Sequence, residues 1–297
     1  RALLYGSNTP YGNSPFGTPT TISSFTPNHL GAQFSNIYQP SKSTLVAVGD
    51  VSTPDLISKA NNIFGQWKTS EPEFSHPNDM TVEPVRQPTT IYIADKPGAA
   101  QSVIRAGHLT IDRHHADYYA LNLLNYLFGG HFMARLNQNL RQDKGYSYGF
   151  HSSVDWVTGP SSLIAWGSVQ TEVTKESVVE VLKEFEDIGS SRPVDIEEFD
   201  SARDGLLKGF ASQFETQDQL VSQICRALMF GLPDDYYTGL SKKYEELTID
   251  DINRVARQRM DPSNLMLLIV GDRKIVEPQL QLLGYPIVHV NHQGEEL

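Results

Sequence analysis

The chain has 297 residues, of which 39% are hydrophobic and 20% charged, a balance that indicates a globular protein with room for two domains and argues against a disordered chain. The formal net charge of −11 argues against binding to nucleic acid or to an anionic membrane surface. The single cysteine excludes an internal disulfide, and no apolar run reaches the roughly 20 residues of a membrane-spanning helix.

The N-terminal quarter predicts two helices with a strand between them. Residues 5–21 are rich in Gly, Pro, Ser, Asn and Thr and show no period, which is typical of irregular structure. The predicted elements that follow are a helix over 27–38 capped by Thr26, a strand over 44–48 and a helix capped by Thr53. Prolines and charged residues then dominate residues 71–88, which is typical of an interdomain linker.

Strand and helix patterns are mixed in the rest of the chain. The predicted strands cover residues 89–94, 101–110, 146–151, 161–169 and 265–270. The predicted helices cover residues 113–128 and 132–144, begin near Thr171, Asp195, Thr216, Asp234 and Thr248, and end with one that reaches about residue 283. The remaining tail predicts irregular structure. The strand over 89–94 or its neighbour is expected to offer an edge to an extended peptide.

Residues 128–149 predict a short helix followed by a strand. The apolar residues of the helix recur at every fourth position, at Phe132, Leu136 and Leu140. The helix is expected to end near Gly145, because glycine is favoured just past a helix C-terminus. From Tyr146 the period becomes two, which places Tyr148 and Phe150 on the same side of a strand.

Arg141 and Tyr148 are the candidate functional residues of this segment. Arg141 lies in the last turn of the predicted helix and Tyr148 near the start of the strand, so the two are expected to lie close together at the corner. A guanidinium and a phenol are both suited to binding peptide carbonyls or a developing oxyanion. The alternative interpretation is an arginine that caps the helix carbonyls beside an ordinary strand tyrosine.

Two stretches of the chain repeat each other without a gap. The repeated positions are Thr26, Pro40 and Val48-Gly49-Asp50, which recur 222 residues later as Thr248, Pro262 and Val270-Gly271-Asp272. A common offset indicates two copies of one domain ending. If the second copy begins near Pro88, the first begins about 134 residues ahead of Arg1. We therefore expect residues 1–70 to be the C-terminal part of a truncated first domain, 71–88 a linker and 89–297 a complete second domain.

These motifs together resemble the pitrilysin (insulinase) family of zinc metallopeptidases, which includes the mitochondrial processing peptidases. The resemblance rests on the Gly129-Gly130 break, on Leu140-Arg141 followed by Asp143-Lys144-Gly145 and Tyr148, and on residues 11–18 upstream of Val48-Gly49-Asp50. It implies an α+β fold of duplicated peptidase-chamber domains with antiparallel or mixed sheets flanked by helices, the first copy being truncated at its N-terminus. It also implies that Arg141 and Tyr148 belong to the non-metal half and bind substrate.

The zinc motif of that family is absent from this chain. The family binds zinc through an inverted His-x-x-Glu-His and a distant Glu, and none of the nine histidines has that spacing. His114-His115 lacks the Glu and the closing His, and His289, His292 and Glu295 lie in a predicted irregular tail. We therefore expect no metal ligand and no catalytic residue in this chain. Zinc is expected in a missing half, in cis, or in a homologous subunit, in trans, and without it the chain is predicted to be inactive.

Two other functions are consistent with parts of the sequence. The first is a non-catalytic structural subunit of the same fold, like the core subunits of the respiratory ubiquinol–cytochrome c reductase. The second is a serine hydrolase, because Gly145-Tyr146-Ser147-Tyr148-Gly149 matches the Gly-x-Ser-x-Gly pattern, although here a helix precedes the serine and a strand follows it, the reverse of that motif. The family resemblance favours the bacterial periplasm over the cytoplasm.

Overall fold

The computed structural model describes residues 1–68 and 87–297, so most of the predicted linker over 71–88 lies outside the described residues. The described residues form two compact units. The first consists of residues 1–13, 87–208 and 237–297, and the second of residues 14–68 and 209–236. Because these units reflect packing rather than repetition, the division into residues 1–70 and 89–297 stays a prediction.

A six-stranded mixed sheet forms the centre of the first unit. Its strands are β1 (Thr90–Asp95), β2 (Gln101–Leu109), β3 (Ser147–Asp155), β4 (Ser162–Gln170), β5 (Met266–Gly271) and β6 (Ile287–Val290). Their order across the sheet is β3-β4-β2-β5-β1-β6. β1 runs parallel to β5 and β6, whereas β2 runs antiparallel to β4 and β5, and β3 antiparallel to β4. The mixed sheet with flanking helices confirms the predicted α+β fold class.

Twelve α-helices are found in the described part of the chain. They are α1 (Ala2–Tyr5), α2 (Pro19–Ser24), α3 (Pro27–Ile37), α4 (Thr53–Phe64), α5 (Tyr118–Asn125), α6 (Arg135–Asn137), α7 (Thr174–Gly189), α8 (Ile196–Ala211), α9 (Gln217–Met229), α10 (Tyr236–Glu245), α11 (Ile249–Arg259) and α12 (Arg273–Gln281). Two π-helical turns, Tyr126–Gly130 and Gln138–Asp143, interrupt the pattern where a long helix and a regular short helix were predicted. Within the described residues, no helix is long and apolar enough to cross a membrane.

One face of the sheet carries the core of the first unit. Ile93 of β1 and its paired residue Ile269 of β5 are 1% and 0% exposed, whereas the residues before and after each of them on its own strand are only half-buried. On the helical side, Phe185 of α7 meets Phe128 edge-on, with ring centroids 4.7 Å apart. Each such side chain stabilises the fold by about 1.5–3 kcal/mol through burial. The sheet is therefore a rigid support for the loops at its edges.

The edges of the sheet differ from the sequence expectation. β1 lies between β5 and β6, so the expectation that residues 89–94 offer a free edge is wrong for that strand. The edge strands are β3 and β6. β6 itself lies in the tail that was predicted to be irregular, and the N–H of Leu297 donates to its His289 carbonyl at 3.0 Å.

The two repeated stretches have the same helical elements. α3 and α11 both begin one residue after a threonine that caps the helix, Thr26 or Thr248, and each has the same length of 11 residues. A 3₁₀ turn starts at Pro40 in one copy and at Pro262 in the other. The strand predicted over 44–48 is wrong, because no described strand pairs with it, although its counterpart β5 is paired on both sides. A strand needs neighbours for its backbone hydrogen bonds.

Apolar side chains of the second unit lie exposed instead of buried. On α4, Ile57 is 54% and Ile63 72% exposed, and on α3, Leu30 is 61% exposed, so these apolar side chains are not covered by the described residues. The first residue of α4 is Thr53, and Ser52 is its cap. Cys225 on α9 is also exposed. A monomer rarely leaves so many large apolar side chains in water.

Candidate functional site

The corner that carries Arg141 and Tyr148 begins where a π-helical turn approaches β3. The turn Tyr126–Gly130 continues α5 and brings Gly129 against the strand. A Cβ atom on Gly129 would lie 2.5 Å from the backbone nitrogen of Ser152, closer than real Cβ contacts allow. Only glycine therefore permits this approach, which places the following loop beside the first residues of β3.

Arg141 lies in the second π-helical turn, with its guanidinium on an aromatic ring. Its Cζ atom is 4.3 Å from the centroid of the Phe132 ring. Phe132 was predicted to share a buried helix face with Leu136 and Leu140, but it is 55% exposed, whereas both leucines are fully buried. Phe132 lies in the turn at residues 131–134, ahead of α6, so it does not share the buried helix face and its ring is free to support Arg141.

The hydrogen-bonding state of Arg141 distinguishes it from a capping arginine. Its Nη1 atom is buried and has no hydrogen-bond partner among the residues that the structure describes. A buried donor without a partner is costly, and such groups in native proteins need an explanation. A ligand that accepts a hydrogen bond here would relieve that cost.

Tyr148 lies at a β-bulge. Ser147 pairs with Val169 and Phe150 with Gly167, so Tyr148 and Gly149 together oppose a single residue of β4. The bulge breaks the alternation, and the prediction that Tyr148 and Phe150 face the same side is wrong: Phe150 is fully buried, while Tyr148 is 92% exposed. The phenol therefore projects into solvent at the corner.

The hydroxyl of Ser147 maintains this bulge. Its Oγ accepts from the Gly149 N–H at 3.0 Å and lies 2.8 Å from the carbonyl oxygens of Gly149 and Ser168. A hydroxyl has one proton, so it donates to one of these carbonyls at a time. An oxygen held in this way by the backbone is not positioned as a nucleophile, which argues against the serine-hydrolase interpretation.

Two asparagines cover the open edge of β3. The Phe150 N–H donates to Asn137 Oδ1 at 3.1 Å, and Asn137 Nδ2 donates to the Phe132 carbonyl at 2.7 Å. Farther along the edge, the Ser152 hydroxyl donates to Asn125 Oδ1 at 2.8 Å. These side chains satisfy groups of an edge strand that would otherwise be open to another strand. Sequence reasoning missed both residues, because their partners on β3 lie 13 and 27 residues away in the sequence.

A charged network holds the back of the corner against neighbouring helices. Arg135 forms a bidentate pair with Glu198 and also donates to the Arg192 carbonyl at 2.6 Å. Asn139 donates to Glu180 at 3.0 Å, and Lys144 pairs with Glu180 at 3.0 Å. Burial raises the pKa of Glu180, but the hydrogen bonds from Asn139 and Lys144 outweigh it, so the pKa is lowered and the carboxylate stays charged.

The histidines nearest in pattern to a zinc site do not converge. His115 Nδ1 accepts from the Asp117 N–H at 3.0 Å, and Asp117 itself binds Arg254 at 2.7 Å. His289 of β6 binds Glu277 at 3.0 Å and does not share a helix with His292. In the described part of the chain, no three His, Cys, Asp or Glu side chains are grouped to hold a metal ion. These residues do not fit the zinc that the family uses.

Together, the mixed sheet and the flanking helices define the class of the fold: an α+β domain in which no His, Cys, Asp or Glu cluster of the described residues could hold a metal ion. Residues 24–206, more than half of the chain, match the family described as the peptidase M16 inactive domain. The chain belongs to that family, and the resemblance to zinc metallopeptidases is confirmed.

Similar proteins agree with this family. A Helicobacter pylori protein named "Non-peptidase homolog YmxG" is 22% identical over 277 residues, which are 90% of this chain and 61% of that protein. A Mycobacterium tuberculosis protein named as an uncharacterized zinc protease is 24% identical over 86% of this chain and 58% of its own length. The crystal structure of a peptidase M16 inactive domain from Pseudomonas fluorescens has a TM-score of 0.79 and 21% identity, covering 91% of this chain and 63% of that one.

This chain therefore spans about 60% of the length of the relatives it matches. The structural likeness shows the fold, and the family match shows an inactive domain of a zinc-protease family.

Proposed function

We propose that this chain is the non-metal half of a zinc peptidase and that Arg141 and Tyr148 bind the substrate there. The observation that carries the proposal is the pair of available donors at one corner. The Arg141 guanidinium has a buried nitrogen without a partner among the described residues, and the Tyr148 phenol is almost fully exposed. Neither that Arg141 nitrogen nor the exposed Tyr148 phenol is needed to stabilise the corner, because the hydrogen bonds of Asn137 and the charged network of Arg135 and Lys144 already do so.

The chemistry of the two side chains fits binding of a peptide backbone. A guanidinium presents several N–H donors in a fixed plane, and its stacking on Phe132 fixes that plane. The Tyr148 hydroxyl can donate to the carbonyl oxygen of a scissile bond, where negative charge develops during hydrolysis. Both residues would act as hydrogen-bond donors, and neither would transfer a proton.

The zinc-bearing half would come from a partner domain, in cis or in trans. Three observations support this part of the proposal. The described residues do not fit a metal, and the second unit exposes apolar side chains on α3 and α4 that a neighbouring domain would cover. Segment 44–48 pairs with no strand of the described residues, although its counterpart β5 is paired on both sides, and it would gain strand partners in the same way.

A second candidate is a non-catalytic subunit of the same fold. The observation that favours it is the name of the Helicobacter pylori relative, which is a non-peptidase homolog. The two candidates differ in what Arg141 and Tyr148 do: a scaffold has no use for a buried guanidinium nitrogen that lacks a hydrogen-bond partner among the described residues, nor for an exposed phenol at the same corner.

Kinetic assays on the assembled peptidase test the proposal. Arg141→Ala and Tyr148→Phe, each combined with the zinc-bearing half, are expected to lower the hydrolysis of internally quenched peptides by roughly 10²–10³-fold, the usual loss for one transition-state donor. Tyr146→Phe is the matched control, because it removes a hydroxyl from the same corner, and it should leave the rate unchanged. Equal rates in wild type, Arg141→Ala and Tyr148→Phe would favour the non-catalytic subunit.

A further inference from the structure

Asn137 joins the two halves of the corner. It lies in α6, between the loop that carries Phe132 and the turn that carries Arg141, and its side chain is fully buried. Its two hydrogen bonds run in opposite directions, to the Phe132 carbonyl at 2.7 Å and from the Phe150 N–H at 3.1 Å. One amide group therefore ties the Phe132 loop to the strand just past the Tyr148 bulge.

Each of these bonds fixes a different functional group. The Phe132 backbone determines where its ring lies, and that ring supports the Arg141 guanidinium at 4.3 Å. Phe150 is the first regularly paired residue after the bulge, so its position determines where the bulge ends and how Tyr148 projects. The Asn137 side chain thus links the arginine support directly to the tyrosine bulge.

We propose that Asn137 is a positioning residue that aligns Arg141 with Tyr148 for substrate binding. This inference rests on the function proposed above, because it presumes that Arg141 and Tyr148 act together. Asparagine suits the role because its amide donates and accepts at once in a buried position. Alanine provides neither bond, and misplacing a binding group by about 1 Å can cost up to about 100-fold in rate.

Asn125 provides a matched control on the same edge. It also covers β3, with its Oδ1 atom accepting from the Ser152 hydroxyl at 2.8 Å, but it has no bond to Phe132 or Phe150. Asn125→Ala should therefore lower the melting temperature by a few degrees and leave kcat unchanged. Asn137→Ala should lower the melting temperature and also reduce kcat by about 10- to 100-fold for the folded protein.

A double-mutant cycle separates positioning from a general loss of stability. Asn137→Ala, Tyr148→Phe and the combined variant are assayed with internally quenched peptides of randomised central sequence, in the assembled peptidase. If Asn137 acts through the corner, the combined variant will be about as slow as the slower single variant, because the residues work as one unit. If the two losses multiply, Asn137 is only a structural residue.

A conservative variant covers the case in which Asn137→Ala does not fold. In Asn137→Asp, the protonated carboxylic acid can accept from the Phe150 N–H and donate to the Phe132 carbonyl, as the amide does. Its kcat relative to wild type should rise as the pH is lowered, and a constant ratio would refute positioning. The proposed function fails separately, if Arg141→Ala and Tyr148→Phe both retain full activity, and the positioning role then fails with it.

Discussion

Gly129→Ala tests the close approach on which the corner is built. The added Cβ would lie 2.5 Å from both the nitrogen and the Oγ of Ser152, and 2.9 Å from a methyl group of Leu136. Ser152 cannot move freely, because its strand is paired with β4 at Ala165. The π-helical turn and β3 must therefore move apart, which disturbs the neighbouring Asn137 contacts as well.

The expected cost follows from two opposing effects. Overpacking of a rigid site costs about 3 kcal/mol, the upper part of the usual range, because the atoms encountered include backbone. Replacing a helical glycine by alanine stabilises the helix by about 1 kcal/mol, which offsets part of this cost. The net loss of about 2 kcal/mol should lower the melting temperature by roughly 4–8 °C for a unit of this size.

Circular dichroism melts compared with a matched glycine variant would measure this loss. Gly239 lies in α10 of the same unit, and a Cβ there would meet nothing within 4 Å. Gly239→Ala should therefore raise the melting temperature slightly, because alanine favours the helix and its Cβ meets no clash there. In Gly129→Ala the clash outweighs this gain. If both variants melted above wild type, Gly129 would not be packed against Ser152 and the described corner would be wrong.

Two further predictions concern charge and metal. The hydrogen bond from Arg254 lowers the pKa of Asp117 below its ordinary value of 3.8 despite partial burial, so the pair stabilises the fold above about pH 4 and is lost as the pH falls through the folded pKa. Asp117→Asn should therefore cost about 1 kcal/mol in urea unfolding at pH 7, and the difference from wild type should shrink towards pH 3; a constant difference would contradict the ion-pair explanation. The dialysed chain alone should hold no stoichiometric zinc and cleave no peptide, as measured by elemental analysis and peptide assay, whereas one tightly bound zinc per chain would direct attention to His108, His114 and His115.

Local signals made much of the fold predictable. The threonine caps at Thr26 and Thr248 depend on residues three positions away, and both helices start where the sequence indicates. β6 was missed because it is only four residues long and follows Gly284 and Pro286, which are typical of loops. The strand over 44–48 had the right composition but no partner in the described residues, and composition carries no information about partners.

At the candidate site, the sequence singled out Arg141 and Tyr148, whose role stays a prediction, and it did not indicate the residues around them. Arg141 and Tyr148 stand out by residue type and spacing. The bulge at Tyr148 depends on the Ser147 hydroxyl reaching backbone atoms on β4, and the role of Asn137 depends on a bond to Phe150, 13 residues away. Phe132 was placed on the helix face because periodicity alone extended the helix back across residues 131–134, which form a turn ahead of α6.

The exposed apolar face of α3 and α4 has a practical consequence for anyone who purifies this chain. Large apolar side chains in water favour self-association, so a preparation of the chain alone should form assemblies that grow with concentration. The zinc-bearing partner proposed above, if it covers this face, would compete for the same side chains and return the protein to a single species of defined mass. Light scattering can therefore report the right partner before any substrate is known, because solubility and complex formation depend on one surface.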